Sequence, residues 1–141
     1  MTYQLIYSSQ AKREMSIADL EQILVDARQG NEKHNITGAL VYVDGVFLQI
    51  LEGEEPTVRR LMESIAADTR HTDLKVFHEA EVAAPTFKSW RMAYVTPTPG
   101  QVAAWAGLAG TATIEAILAE IHAKPQVGSR VAENVLRALA S

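Results

Sequence analysis

The sequence predicts an α+β sandwich, β-α-β-β-α-β-β, with further helices after the last strand that pack on the sheet. Three observations predict it. Apolar residues alternate with a period of two in some segments and recur at three and four residues in others. Asp44-Gly45 joins two of the alternating runs, which is the strongest short hairpin signal. Thr96-Pro97-Thr98-Pro99-Gly100 then ends the strands, because proline and glycine do not continue a ladder.

The elements follow in order. Residues 2–8 alternate as a strand. Ser16 is a plausible helix N-cap with the carboxylate of Asp19 at the third helical position. Ile17, Leu20, Ile23, Leu24 and Ala27 continue at helical spacing, and Gly30-Asn31 is expected to stop the helix. Residues 39–43 and 46–51 are the hairpin strands. A second helix starts near Pro56, a residue suited to a first turn, with Val58, Leu61, Met62, Ile65 and Ala66 as its apolar face. Residues 75–82 form a strand that Pro85 breaks, and 90–95 form another. Residues 101–108, 113–123 and 129–140 read as helices. The first six elements match the split βαβ arrangement of a ferredoxin-like sandwich. The division expected is 1–96 for the sandwich and 97–141 for a helical cap.

Composition excludes several classes. At 141 residues the chain is expected to be one core-forming unit. Thirteen basic and seventeen acidic residues give a net charge of −4, so net charge lends a nucleic-acid surface no support. Without cysteine there are no disulfides, thiolate metal sites or cysteine nucleophile. No apolar run approaches the roughly 20 residues that span a bilayer, and the N-terminus lacks a signal-peptide pattern. A soluble, cytoplasmic protein is the expectation.

Catalytic motifs are absent from the sequence. The histidines at 34, 71, 78 and 122 have no metal-ligand spacing, and there is no GxSxG, Walker or GxGxxG loop. What remains is a set of polar or redox-capable residues inside apolar strands. Gln49 stands in Gly45-Val46-Phe47-Leu48-Gln49-Ile50-Leu51-Glu52-Gly53. Its amide either faces outward as an alternation partner or is held by partners inside, since an unpaired buried amide costs about 1–3 kcal/mol. Phe47, Gln49 and Leu51 share one side of the strand and Val46, Leu48, Ile50 and Glu52 the other, and periodicity does not say which side is inside. Tyr7 reads locally as a core aromatic, Trp90 and Met92 as packing residues, and Asn31 as a helix-ending turn residue.

Taken together these segments resemble the BLUF family, small flavin-binding blue-light sensors. The matching pieces are Leu5-Ile6-Tyr7-Ser8-Ser9, Asn31, Ile36-Thr37-Gly38-Ala39-Leu40, the Gly45–Gly53 run, Asp68-Thr69-Arg70-His71 and Phe87-Lys88-Ser89-Trp90-Arg91-Met92. They stand in family order and cover residues 1–95.

The resemblance implies a noncovalently held FAD, with FMN or riboflavin as alternatives, its ring standing between the two helices. By position it makes Tyr7 the photoactive tyrosine, Gln49 the switching glutamine, Asn31 a hydrogen-bond partner of the flavin, and Trp90 and Met92 the mobile pair. Ile23 and Ile65 fall where aliphatic side chains pack on the ring. Arg28, Asp68, Arg70 and His71 fall where polar contacts to the ring edge, ribityl chain or phosphate are expected. Gly30 departs from relatives that carry a larger polar residue there. On this reading Gln49 faces inward, and light moves an electron and proton from Tyr7 and rearranges the Gln49 hydrogen bonds. The last strand and the helices then carry the signal to a partner protein, with no catalysis in the chain itself. Apolar stripes on the tail suggest a homodimer or larger assembly. The rivals are an acylphosphatase-type hydrolase, for which Ser9-Gln10-Ala11-Lys12-Arg13 lacks the glycines of a phosphate loop, and a light-blind interaction module.

Overall fold

Period-two alternation becomes one mixed sheet. The computed structural model describes residues 1–88, 91–108, 113–124 and 127–140. Among these, the strands are β1 (Thr2–Ala11), β2 (Thr37–Val43), β3 (Val46–Gly53), β4 (His71–Val82) and β5 (Ala93–Val95). Their order is β4-β1-β3-β2-β5, and every pair is antiparallel except β2 with β5. Helices α1 (Ile17–His34) and α2 (Glu55–Ala67) link strands as the ferredoxin-like order requires.

Backbone chemistry sets the register. Asp44 and Gly45 both have positive φ, at 46° and 77°, which matches a primed two-residue turn whose twist suits a hairpin. At Gly38 a Cβ would lie 1.9 Å from the Ile50 carbonyl oxygen, so only glycine lets β2 and β3 approach there. Ser16 caps α1 through a full capping box with Asp19, and Pro56 sits in the first turn of α2.

Several boundaries shift by two to four residues, β1 running on to Ala11, β4 starting at His71 and α3 ending at Trp105, and two further changes bear on the site. Gly30-Asn31 does not stop α1, which continues to His34 and ends at Asn35 in the left-handed region, φ 56°. The reason is that the Asn31 side chain is buried and donates to the Arg91 carbonyl, instead of folding back on its own turn. The last strand is also shorter than 90–95, because Asn31 and Arg28 hold the carbonyls of Arg91 and Met92 where a strand neighbour would be. Trp90 lies outside the described residues.

Both sides of the sheet are covered, so both alternation sets of β3 are inside. Phe47 and Leu51 pack with Tyr7, Leu24, Leu40 and Val58 under α1 and α2. Val46, Leu48 and Ile50 pack instead under α3 (Pro99–Trp105), α4 (Ile114–Ala123) and α5 (Val127–Ala140). Thr98 and Thr113 cap α3 and α4 through their side chains. Asn134 of α5 donates to the Trp105 carbonyl at 2.9 Å, tying the tail helices together. No helix among the described residues is long and apolar enough to cross a membrane.

Candidate functional site

Cross-strand register builds the floor of the site. Tyr7, Gln49 and Leu40 are lateral neighbours on β1, β3 and β2, so one row of three side chains faces α1 and α2. Above this row lies a cavity of about 190 Å³. Ile23, Ala27, Gly30 and Asn31 of α1 line one wall, and Leu61, Ser64 and Ile65 of α2 the other. Asp26, Phe47, Asp68, Arg70 and His71 complete the lining.

The polar groups form a connected set. Gln49 is 6% exposed, its Oε1 accepts from the Tyr7 hydroxyl, and its Nε2 meets the Met92 sulfur at 3.7 Å. Sulfur is a weak acceptor, so one end of the amide is held firmly and the other loosely. Burial holds the Tyr7 phenol well above its ordinary value, and the Asp68 carboxylate adds to the effect. Asp68 itself is held below the usual carboxylate range by Arg70, which it binds through both oxygens. Arg70 also reaches Asp26 of α1 at 3.1 Å, so its guanidinium spans from one helix to the strand end across the cavity mouth. His71 meets the Ile65 carbonyl through Nε2 at 2.6 Å, which makes Nε2 the donor, and Nδ1 contacts the Ser9 hydroxyl at 2.7 Å.

Of the residues singled out in the sequence, Tyr7, Ile23, Asn31, Gln49, Ile65, Asp68, Arg70 and His71 all line the one cavity. Met92 lies buried behind Gln49. Arg28 is not in the lining; its Nε donates to the Met92 carbonyl at 3.1 Å, so it holds the backbone of the segment instead. Sequence reasoning missed Asp26, Ser64, Leu40 and Phe47. Leu40 and Phe47 were accessible through alternation, being on the same side as Gln49. Asp26 and Ser64 look like ordinary solvent-facing helix positions.

These residues fit a flavin. Apolar walls with a few convergent polar groups at one end suit an aromatic body with a polar edge. A Cβ at Gly30 would meet nothing within 4 Å, so α1 leaves open space beside the cavity. Comparison with known proteins agrees: the model of the family described as "Sensors of blue-light using FAD" matches residues 2–93. The chain belongs to the BLUF family. As a BLUF chain it is a blue-light sensor that uses a flavin, and the family match leaves the hydrolase alternative without support.

Photoactivated adenylate cyclase subunit beta of Euglena gracilis is 40% identical over 93 residues, 65% of this chain and 11% of that protein. This BLUF chain therefore spans about a tenth of that cyclase. The solved structure of BlsA in its ground state is similar at 34% identity and TM-score 0.74, covering 84% of this chain and 79% of BlsA. The BLUF protein BlrB in its dark state has TM-score 0.76 over 97% of this chain and 96% of BlrB; at 24% identity it supports the fold alone.

Proposed function

We propose that Tyr7 and Gln49 are the photoactive pair and that the segment ending at Met92 passes their rearrangement to the tail helices. The observation that carries this is the chain Tyr7 hydroxyl, Gln49 Oε1, Gln49 Nε2, Met92 sulfur, directly beneath the cavity.

A bound flavin supplies the blue absorption and, once excited, an electron acceptor. Tyr7 is the donor. Loss of an electron makes the phenol very acidic, so its proton follows, passing along the existing hydrogen bond to the Gln49 amide. When both return to Tyr7, the Gln49 amide is left turned or tautomerised. Turning it would put Nε2 at the Tyr7 oxygen and Oε1 at the Met92 sulfur. That exchanges a weak N–H···S contact for two facing acceptors, which drives Met92 away. Asn31 and Arg28 keep the neighbouring carbonyls anchored to α1. Asn31, Arg70, His71 and Asp68 orient the cofactor's polar parts, and Ile23 and Ile65 hold its apolar faces.

FAD is the flavin proposed, with FMN or riboflavin as alternatives that extraction and chromatography of the bound flavin decides. The output passes to a separate protein partner. A cytoplasmic location and a homodimer or larger homo-oligomer belong to the same proposal, tested by imaging and by size-exclusion chromatography.

The decisive experiment is an absorption spectrum before and after blue light. Purified protein should carry flavin and show a reversible red shift. Tyr7→Phe and Gln49→Leu should keep the flavin and lose the shift; a full photocycle in both would refute the assigned roles.

A further inference from the structure

The opposite side of β3 carries a buried carboxylate that the pocket chemistry does not use. Glu52 is 1% exposed and stands three residues beyond Gln49, on the side that faces the tail helices. Among the described residues no cation lies within ion-pair distance of it. Four neutral donors serve it instead. The Thr86 backbone N–H reaches Oε2 at 2.7 Å and the Phe87 N–H reaches Oε1 at 2.8 Å. Gln4 Nε2 donates to Oε2 at 3.0 Å and the Thr37 hydroxyl to Oε1 at 3.2 Å. A carboxylate out of water needs such a set, and both of its oxygens are engaged.

Two consequences follow from who the donors are. Thr86 and Phe87 open the segment that ends at Met92, so that segment is held twice. Glu52 grips its N–H groups at one end, and Asn31 and Arg28 grip its carbonyls at the other. Gln4, with its amide nitrogen on Glu52, turns its Oε1 to His78, whose Nε2 lies at 3.2 Å. His78 in turn seats α5: a Cβ on Gly128 would fall 2.3 Å from the His78 ring, so the helix meets the imidazole with bare backbone.

We propose that Glu52 is a positioning residue of the light response, joining the Met92 segment to α5 through Gln4 and His78. This rests on the Gln49–Met92 switch proposed above. A displaced Met92 pulls on Thr86 and Phe87, and because their N–H groups are bound to the buried carboxylate the pull is passed to Glu52. The carboxylate then turns with Thr86 and Phe87, and the Gln4 amide turns with the carboxylate. The seat of α5 thereby has two arrangements, as coupling at a distance requires.

The test is backbone hydrogen exchange of the flavin-loaded full chain, dark and under blue light, with the red shift recorded in the same samples. Wild type should show a light-minus-dark difference in α5. Glu52→Gln replaces an acceptor with a donor facing N–H groups. It should leave the red shift intact and cut the α5 difference by about threefold or more. Gln4→Leu leaves the backbone N–H groups of Thr86 and Phe87 on Glu52 and removes the branch to His78, together with the Gln4 amide's contacts to Glu52 Oε2 and the Thr86 hydroxyl. It should keep a difference at residues 86–88 and lose the one in α5. A merely structural carboxylate would lower stability and leave the light-minus-dark difference unchanged. Normal red shifts with a full α5 difference in both variants overturn the coupling alone, as does a wild type that shifts with no α5 difference. A wild type without a red shift overturns the switch and the coupling together. Should Glu52→Gln fail to fold, Gln4→Leu decides.

Discussion

The two faces of one sheet are built to opposite ends. Toward the tail, Leu48 and Ile50 meet Ile117, Ile121 and Val135, and the aliphatic side chains fill the space between layers. Toward α1 and α2 the same strand presents Phe47, Gln49 and Leu51, yet the layers leave a cavity with Ile23, Ala27 and Ile65 only partly buried on its walls. Packing dominates the first face; the second keeps room in which polar atoms can change partners. Neighbouring residues of β3 thus serve different ends merely by pointing opposite ways.

The largest expected effect tests that contrast directly. Ile50→Ala should destabilise the flavin-free protein by about 2–5 kcal/mol, because surrounding side chains cannot collapse into the void. Ile65→Ala, on a wall that already borders open space, should cost about 1 kcal/mol or less. Urea unfolding measures both, and equal costs would break the distinction between a filled face and an open one. Next comes Tyr7→Phe, which leaves Gln49 Oε1 buried without its hydroxyl donor and should cost about 1–3 kcal/mol. Asp26→Asn should cost less again, about 0–1 kcal/mol, since its pair with Arg70 is largely solvent-exposed. A larger loss in urea unfolding would mean that the strap across the cavity mouth holds α1 in place.

This contrast was half legible in the sequence. Alternation and Asp44-Gly45 located β2, β3 and the turn, and the order of elements followed. The direction of Gln49 was not legible from periodicity, because a strand covered on both faces has no polar side to mark. Only the residues around it, read as a family pattern, pointed it inward. Glycine and asparagine misled at 30–31, where local propensity favours a helix end but the Asn31 side chain has a tertiary partner in Arg91. Arg28 was placed near the ligand by the resemblance; the partner the structure gives its Nε, a backbone carbonyl 64 residues away in sequence, carries no residue-type signature. Asp26 joined the pocket lining for a similar reason, through an arginine on a distant strand end.

The smallest effect separates the faces by pH. On the tail side, burial holds His78 and His122 below the ordinary imidazole value of 6.5; Glu79 partly opposes this at His78, and Lys75 reinforces it at His122. A histidine with a lowered folded pKa binds its proton more readily once unfolded. The stability it contributes is therefore present above its unfolded value of about 6.5 and lost as pH falls below it. On the pocket side, Asp68 is also lowered, by Arg70, but its contribution is lost only as pH falls below the carboxylate range near 4. Acidification from about pH 7.5 to 5.5 should thus weaken the tail face first, and only modestly, since both rings are only partly buried. Urea unfolding at the two pH values measures the loss. His78→Gln with His122→Gln should flatten the slope while leaving the Tyr7–Gln49 pair untouched, because both imidazoles contact the other side of β1, at Gln4 and Ser8. A slope unchanged by the double substitution would place the acid sensitivity on the pocket face instead.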